Sequence, residues 1–217
     1  MYCLISSCLL QGAFTSVSGT FTVPDTTGQS GAGASFWVGI DGVTCTAILQ
    51  TGVTAYVNGT ETLYYGKETL NHASTPYLTR LFWRIAWHEW YPDYSATFSD
   101  LSVSAGDVIR ANVTAFSTTS GIATIENLTT GQSEHKNLSS TYPLCGKDAE
   151  WIVEDFTHND KTIPFANFGT VTFKDGKATG PGGTNTFSGA TIIEMAQNYT
   201  HVTSATIDGT SLTIKYL

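Results

Sequence analysis

The chain has 217 residues, 41% of them hydrophobic, which suits one globular domain with a substantial core. Charged residues make up only 13%, about half the usual ~25%, and eighteen acids outnumber ten Lys and Arg for a formal charge of −8. No basic patch stands out, which argues against a nucleic-acid partner, and no run approaches the ~18–20 apolar residues that span a membrane.

In chain order, the opening "MYCLISSCLLQ" is apolar but lacks the cations of a signal n-region and is short for one. It reads as an irregular first strand, within residues 1–13, in preference to a truncated signal. Short runs of Thr, Val, Ile and aromatics follow: "GTFTVP", "SFWVGI", "TAILQTGVTAYV", "SATFSDLSVS", "DVIRANVTAF", "IATIENL", "EWIVEDF", "GTVTF" and "SATIDGTSLTIKYL". Turn dipeptides and glycine clusters separate them. That spacing predicts a single all-β domain over 1–217, a β-sandwich of antiparallel sheets with no alternating βα units. Hairpin turns are predicted at Asp175-Gly176 and at Asp208-Gly209. Pro24 and Pro164 fall at strand ends, where a missing N–H is tolerated. Glycine-rich "TTGQSGAGAS" and "ATGPGGTNTFSG" open no amphipathic helix, so they read as loops and not as phosphate cradles. Residues 66–86, "GKETLNHASTPYLTRLFWRIA", break the strand pattern and read as an insertion between two consecutive strands of one sheet. Its apolar Leu81, Phe82, Trp83 and Ile85 need cover.

Sequons at Asn58, Asn112, Asn127, Asn137 and Asn198 together lean towards a secreted, extracellular protein. Cys3, Cys8, Cys45 and Cys145 permit disulfides without revealing their pairing. There is no Gly-x-Ser-x-Gly, His-Glu-x-x-His or Cys-x-x-Cys, and the five histidines are scattered, so neither a metal nor a cofactor is expected. The recurring theme is carboxylates beside aromatics. In "AWHEWYPDY", Trp87, Glu89 and Tyr91 share one strand face; "FWVGIDG" ends on Asp41; "AILQTG" puts Gln50 on an apolar strand. In "AEWIVEDF", Glu150, Ile152, Glu154 and Phe156 share one face, and Trp151, Val153 and Asp155 the other. Each alone reads first as a buried polar group satisfied by backbone or water. Together such strands could line a concave aromatic cleft in which burial raises carboxyl pKa values for acid–base work. Sugar-binding sandwiches use the same residue types, so lectin and glycosidase stay open on pattern alone.

Taken in order, "GTFTVP", "FWVGIDG", "TCTAILQTGV", "WHEWYPDY", "ENLTTGQS", "LCGKDAEWIVEDF" and "PFANFGTVTF" resemble the glutamic peptidases, or eqolisins. These are acid-acting, pepstatin-insensitive endopeptidases secreted mainly by filamentous fungi. The resemblance runs from about Phe14 to the C-terminus, apart from residues 66–86. It implies a sandwich of two large antiparallel sheets, a concanavalin-like jelly roll, acting as a monomer on protein and peptide substrates without a cofactor. It also implies a catalytic pair: Gln50 from "ILQTG" and Glu154, the second Glu of "EWIVEDF". Glu150 shares that face but lies about 13 Å away at ~3.3 Å per residue, too far to substitute. In the implied chemistry, ionised Glu154 takes a proton from water and hands it to the leaving amine, while the Gln50 amide donates to the oxyanion. Activity is then expected to fall at very low pH. Trp37, Asp41, Trp87, Glu89 and Phe156 match positions that shape or support the family's site. Cys45 and Cys145 match its disulfide, and Glu150 and Asp155 are expected in structural hydrogen bonds. The sequence departs from the pattern at its irregular start, in the 66–86 segment, and at Ile85, where the family carries aspartate. A non-catalytic sandwich that binds sugars or proteins, including an inactive family member, is the alternative.

Overall fold

The computed structural model describes residues 3–10, 13–57, 84–158 and 161–217. In chain order the strands are β1 (Cys3–Leu10), β2 (Ser16–Thr22), β3 (Gly33–Ile40), β4 (Ile48–Tyr56), β5 (Arg84–Tyr91), β6 (Ala96–Thr97), β7 (Val108–Ser117), β8 (Ser120–Asn127), β9 (Gln132–Ser139) and β10 (Asp148–Asp155). They continue as β11 (Thr157–His158), β12 (Lys161–Thr162), β13 (Thr170–Gly180), β14 (Gly183–Asn185), β15 (Thr191–Ile193), β16 (Ala196–Gln197), β17 (Thr200–His201), β18 (Thr203–Asp208) and β19 (Ser211–Tyr216). No helix forms among the described residues.

Two large antiparallel sheets make up the sandwich. One has the order β15-β1-β10-β3-β4-β5-β6; the other has β18-β19-β13-β2-β7-β8-β9, with β14 beside β13. The all-β sandwich expected from strand spacing is the observed fold.

Side-chain alternation explains which strand goes where. In β2 and β8 buried positions alternate with partly exposed ones, so one face meets the core and the other meets solvent. β3 is buried at every position and β4 at all but its ends, so neither shows the one-sided pattern. In the space between the sheets, Phe21 faces Phe36 of the opposite sheet at 6.2 Å and Phe173 of its own sheet at 5.2 Å, and Phe36 packs on Phe168 at 5.8 Å between ring centroids. Trp151 points inward from β10, 4.8 Å from the ring of Phe187, and its Nε1 donates to the Ser18 carbonyl at 2.8 Å. Burying side chains of this size contributes about 1.5–3 kcal/mol each.

The opening apolar stretch takes its place in the first sheet. β1 pairs with β10 from Cys3 opposite Asp155 to Leu10 opposite Asp148. β4 and β5 pair directly, from Ile48 opposite Tyr91 to Ala55 opposite Arg84. Of the 66–86 segment, residues 66–83 lie outside the described residues, as does Asn58; residues 84–86 open β5.

One predicted turn is a hairpin and the other is not. Asp208 pairs with Ser211, leaving Gly209 and Thr210 as a two-residue loop, with Gly209 at φ 56°. Asp175-Gly176 instead lies inside the unbroken strand β13, at a bulge where the register with β2 shifts between Lys174 and Lys177. Asp175 adopts φ 53°, and a Cβ on Gly176 would stand 2.2 Å from the Phe187 ring. The same Asp-Gly chemistry that turns a hairpin also serves a bulge, and here it lets Phe187 pack against the strand.

Candidate active site

Four neighbouring strands, β10, β3, β4 and β5, bring distant sequence segments into rows. Glu150, Gly39, Gln50 and Glu89 stand opposite one another across the ladder; so do Ile152, Trp37, Gly52 and Trp87; so do Glu154, Ser35, Thr54 and Ile85. Residues directly paired in an antiparallel ladder project to the same face. The alternation in "EWIVEDF" puts Glu150 and Glu154 on this face and Trp151 and Val153 in the core. This is why an apolar strand carries acids.

The centre of the array is Trp37. It crosses Gly52, where an added Cβ would stand 2.5 Å from the Trp37 Cβ, and its ring reaches over Gly39. Only glycine leaves room for the indole to lie across the sheet. At its other edge Nε1 donates to Glu154 Oε2 at 2.9 Å. Gln50 is oriented by a different partner: its Nε2 donates to Glu89 Oε2 across the β4–β5 pair, while its Oε1 has no hydrogen-bond partner among the described residues.

Glu154 lies deep in the cleft. Burial pushes its carboxyl up to about 7, opposed by the Trp37 hydrogen bond and reinforced by Asp155. Glu89 is likewise pushed up to about 7 by burial, against the Gln50 bond and with the help of Glu154. Desolvation disfavours the charged form, so both acids hold their protons in an acidic medium. The expectation from sequence is an ionised Glu154 that takes a proton from water; burial favours the protonated carboxyl in acid.

Glu150 also departs from expectation. It is fully buried, and neither oxygen has a hydrogen-bond partner among the described residues. Burial, then Asp148, Asp41 and Glu154, raises it well above the carboxylate range. Burial therefore favours its neutral form, and it makes none of the structural hydrogen bonds expected of it among the described residues. Asp155 does make a structural bond, accepting from Gln197 Nε2 at 3.0 Å, with its other oxygen unpartnered among the described residues.

One wall of the cleft is the turn over residues 41–46. Asp41, buried and at φ 68°, accepts from the backbone N–H groups of Cys145 (2.7 Å), Gly146 (2.8 Å), Lys147 (2.7 Å) and Asp148 (3.3 Å). Asp148 in turn accepts from Thr44 N and Oγ1, both at 2.9 Å. A Cys45–Cys145 disulfide closes the arrangement. Asp41 therefore builds the wall and takes no part in lining it. Asp41, Cys45 and Cys145 offer three potential metal donors close together, but both sulfurs are spent in the disulfide.

The cleft encloses about 660 Å³ and is lined by Trp37, Gln50, Trp87, Glu89, Glu154 and Phe156 among others. The structure thus brings together all the named site residues except Asp41, which supports them from behind. Phe156 stacks edge-on against Tyr56 at 5.6 Å. Sequence reasoning missed Ser35 and Thr54, which line the cleft and share a 2.6 Å hydrogen bond beside Glu154. Period-two counting from Trp37 and Gln50 reaches both. It also missed Ile48 and Ser95 as lining residues; Ser95 lies beyond the strand, where no period applies.

A two-sheet sandwich that gathers carboxyls and an amide in one cleft can be compared with known proteins. Residues 6–77 and 84–216 match the Peptidase A4 family, and the chain belongs to that family, the glutamic peptidases. It is 40% identical over 232 residues to aspergillopepsin-2 of Aspergillus niger, covering 96% of this chain and 75% of that protein. It is 39% identical over 219 residues to scytalidopepsin B of Scytalidium lignicola, with the same coverage. Among solved structures, scytalido-glutamic peptidase with a transition state analog inhibitor is similar at TM-score 0.85 and 38% identity, over 100% of this chain and 98% of that one. SCP-B, an eqolisin in a complex with the tripeptide Ala-Ile-His, is similar at TM-score 0.81 and 36% identity, with the same coverage.

Proposed function

We propose that this chain is a secreted acid endopeptidase in which Glu154 carries protons and Gln50 stabilises the oxyanion. The observation that carries the reading is Glu154 itself, raised to about 7 and oriented by Trp37 on the floor of a cleft it shares with Gln50.

The proton balance closes without a covalent intermediate. In acid, Glu154 begins as the carboxylic acid. Water attacks the peptide carbonyl carbon while the Glu154 proton passes to the carbonyl oxygen; the carboxylate so formed takes a proton from the attacking water. Glu154 is then protonated again beside a tetrahedral diol. Collapse sends its proton to the amide nitrogen, the C–N bond breaks, and a diol hydroxyl returns a proton to Glu154. An amide N–H of Gln50 donates to the oxygen as charge develops there, and Glu89 holds that amide in place. Glutamine does not titrate, so this half of the machinery works at any acidity. Activity falls instead as pH rises through about 7, when Glu154 loses the proton it must give first.

Relatives with a tripeptide and with a transition state analog inhibitor support a peptide substrate. A disulfide in the cleft wall and several sequons support an oxidising, extracellular setting.

The test is hydrolysis of an acid-denatured protein at acidic pH, with and without pepstatin, by wild type and by Glu154→Gln. Pepstatin-resistant cleavage that drops by about 10²–10⁴-fold in a folded Glu154→Gln is expected. Binding of peptide or sugar with no cleavage by wild type would establish the non-catalytic alternative.

A further inference from the structure

The sequons are not equivalent once folded. Asn112 spends its side-chain Nδ2 on Ser16 Oγ (3.2 Å) and the Val17 carbonyl (3.4 Å), within the β2–β7 ladder. Asn127 is wholly buried; its Nδ2 donates to Asp107 Oδ2 (2.8 Å) and the Ser102 carbonyl (3.0 Å), and its Oδ1 accepts from Thr129 N and Thr130 N. Both amides are structural fasteners with no free N–H. Asn137 and Asn198 are exposed. Asn137 lies on β9, the edge strand of its sheet. Asn198 and Tyr199 form the two-residue loop between paired Gln197 and Thr200, at φ 50° and 64°. Positive φ at both loop positions is the signature of the type I′ hairpin, which favours Asn and aims the tip outward. Tyr199 is 105% exposed at that tip, where an aromatic ring gains nothing from packing within the fold.

We propose that Asn198 and Asn137 are N-glycosylation sites carrying an oligosaccharide rooted in N-acetylglucosamine, and that Asn112 and Asn127 stay unmodified. In the transfer, Nδ2 bonds to the anomeric carbon of a lipid-pyrophosphate-linked oligosaccharide. The anomeric C–O bond breaks, and one Nδ2 proton leaves with the pyrophosphate side. A chain modified at Asn112 or Asn127 must break a fastening hydrogen bond and find room for a sugar where there is none; a chain modified at Asn198 or Asn137 folds unchanged. At Asn198 the first sugar lies beside the Tyr199 ring and covers it. On β9 the glycan stands at an open sheet edge, where bulk discourages pairing with a second chain.

The proposal rests on the secretory reading, so the test imposes it. The Glu154→Gln chain is secreted from a eukaryotic host behind a foreign signal sequence, which excludes self-cleavage and leaves the peptidase reading to its own assay. The folded fraction is treated with an amidase that converts glycan-bearing Asn to Asp in ¹⁸O water, and its peptides are mapped. Label at Asn198 and Asn137, and none at Asn112 and Asn127, is expected. Label at Asn112 or Asn127 in folded protein, or its absence at Asn198 or Asn137, overturns the assignment. Deglycosylation should lower the melting temperature less in Tyr199→Ser than in its parent; equal losses would remove Tyr199 from the account.

Discussion

Trp37 on β3 donates its indole N–H to Glu154 on the adjacent strand β10, at 2.9 Å, and so favours the ionised form of an acid that burial otherwise keeps neutral. Trp37→Phe keeps the ring over Gly52 and deletes only this donor. The Glu154 carboxyl should rise further, moving the high-pH limb of kcat/KM upward by about one to two units, since hydrogen bonds to charged groups contribute roughly 1.5–3 kcal/mol. A pH–rate profile whose limb stays in place would show that Trp37 does not tune Glu154.

Glu150→Gln should leave most of the activity, because the amide copies the neutral acid already there. Its effect should appear in stability. A carboxyl whose folded pKa lies above its unfolded value makes the folded state bind more protons, so stability falls as pH rises from the unfolded pKa towards the folded one. Glu89 and Glu154 act in the same direction, between about 4.5 and about 7. Urea midpoints should therefore be highest in acid and decline towards neutrality, by up to about 1.4 kcal/mol per pH unit for each group. Glu150→Gln should flatten that decline. A variant as steep as wild type would mean that Glu150 is not a proton-holding site.

Gly52→Ala tests the floor of the cleft. The added methyl would stand 2.2 Å from the Phe36 carbonyl oxygen and 2.5 Å from the Trp37 Cβ, both on the neighbouring strand. Overpacking of this kind costs about 1–3 kcal/mol, and displacing Trp37 should also lower kcat. Equilibrium unfolding beside steady-state kinetics at acidic pH checks both; an unchanged kcat would separate indole position from turnover.

Removing the Cys45–Cys145 bridge by a double serine substitution should destabilise the domain by about 2–4 kcal/mol. The loss should be felt first in the 41–46 wall, as a rise in KM larger than the fall in kcat. Peptide mapping under non-reducing conditions checks the bridge itself, and free thiols at both positions in secreted material would reject it.

Much of this arrangement can be read from the chain. Strand character within "FWVGI", "AILQTG" and "EWIVEDF" puts Trp37, Gln50 and Glu154 on strands, and resemblance to the glutamic peptidases selects among the acids. What alternation cannot supply is which strands become neighbours. The row Glu150–Gly39–Gln50–Glu89 joins segments up to about a hundred positions apart, so the isolation of Glu150 among Asp41, Asp148 and Glu154 is a tertiary fact. Asp175-Gly176 fails for a local reason: a bulge and a hairpin ask for the same residues, and only the pairing partner tells them apart. The sequons differ in the same way, since Asn112 and Asn127 satisfy the motif while their amides bond within the fold.

The bridge between Cys45 and Cys145 spans 100 positions and encloses Gln50 while leaving Glu154 outside. A peptidase lives among peptidases, its own copies included. A single cut between Gln50 and Cys145 leaves both fragments covalently joined, with the amide on one piece still tethered to the acid on the other. Such a nicked molecule migrates as one band until reductant is added, so damage and loss of the working pair become separate events.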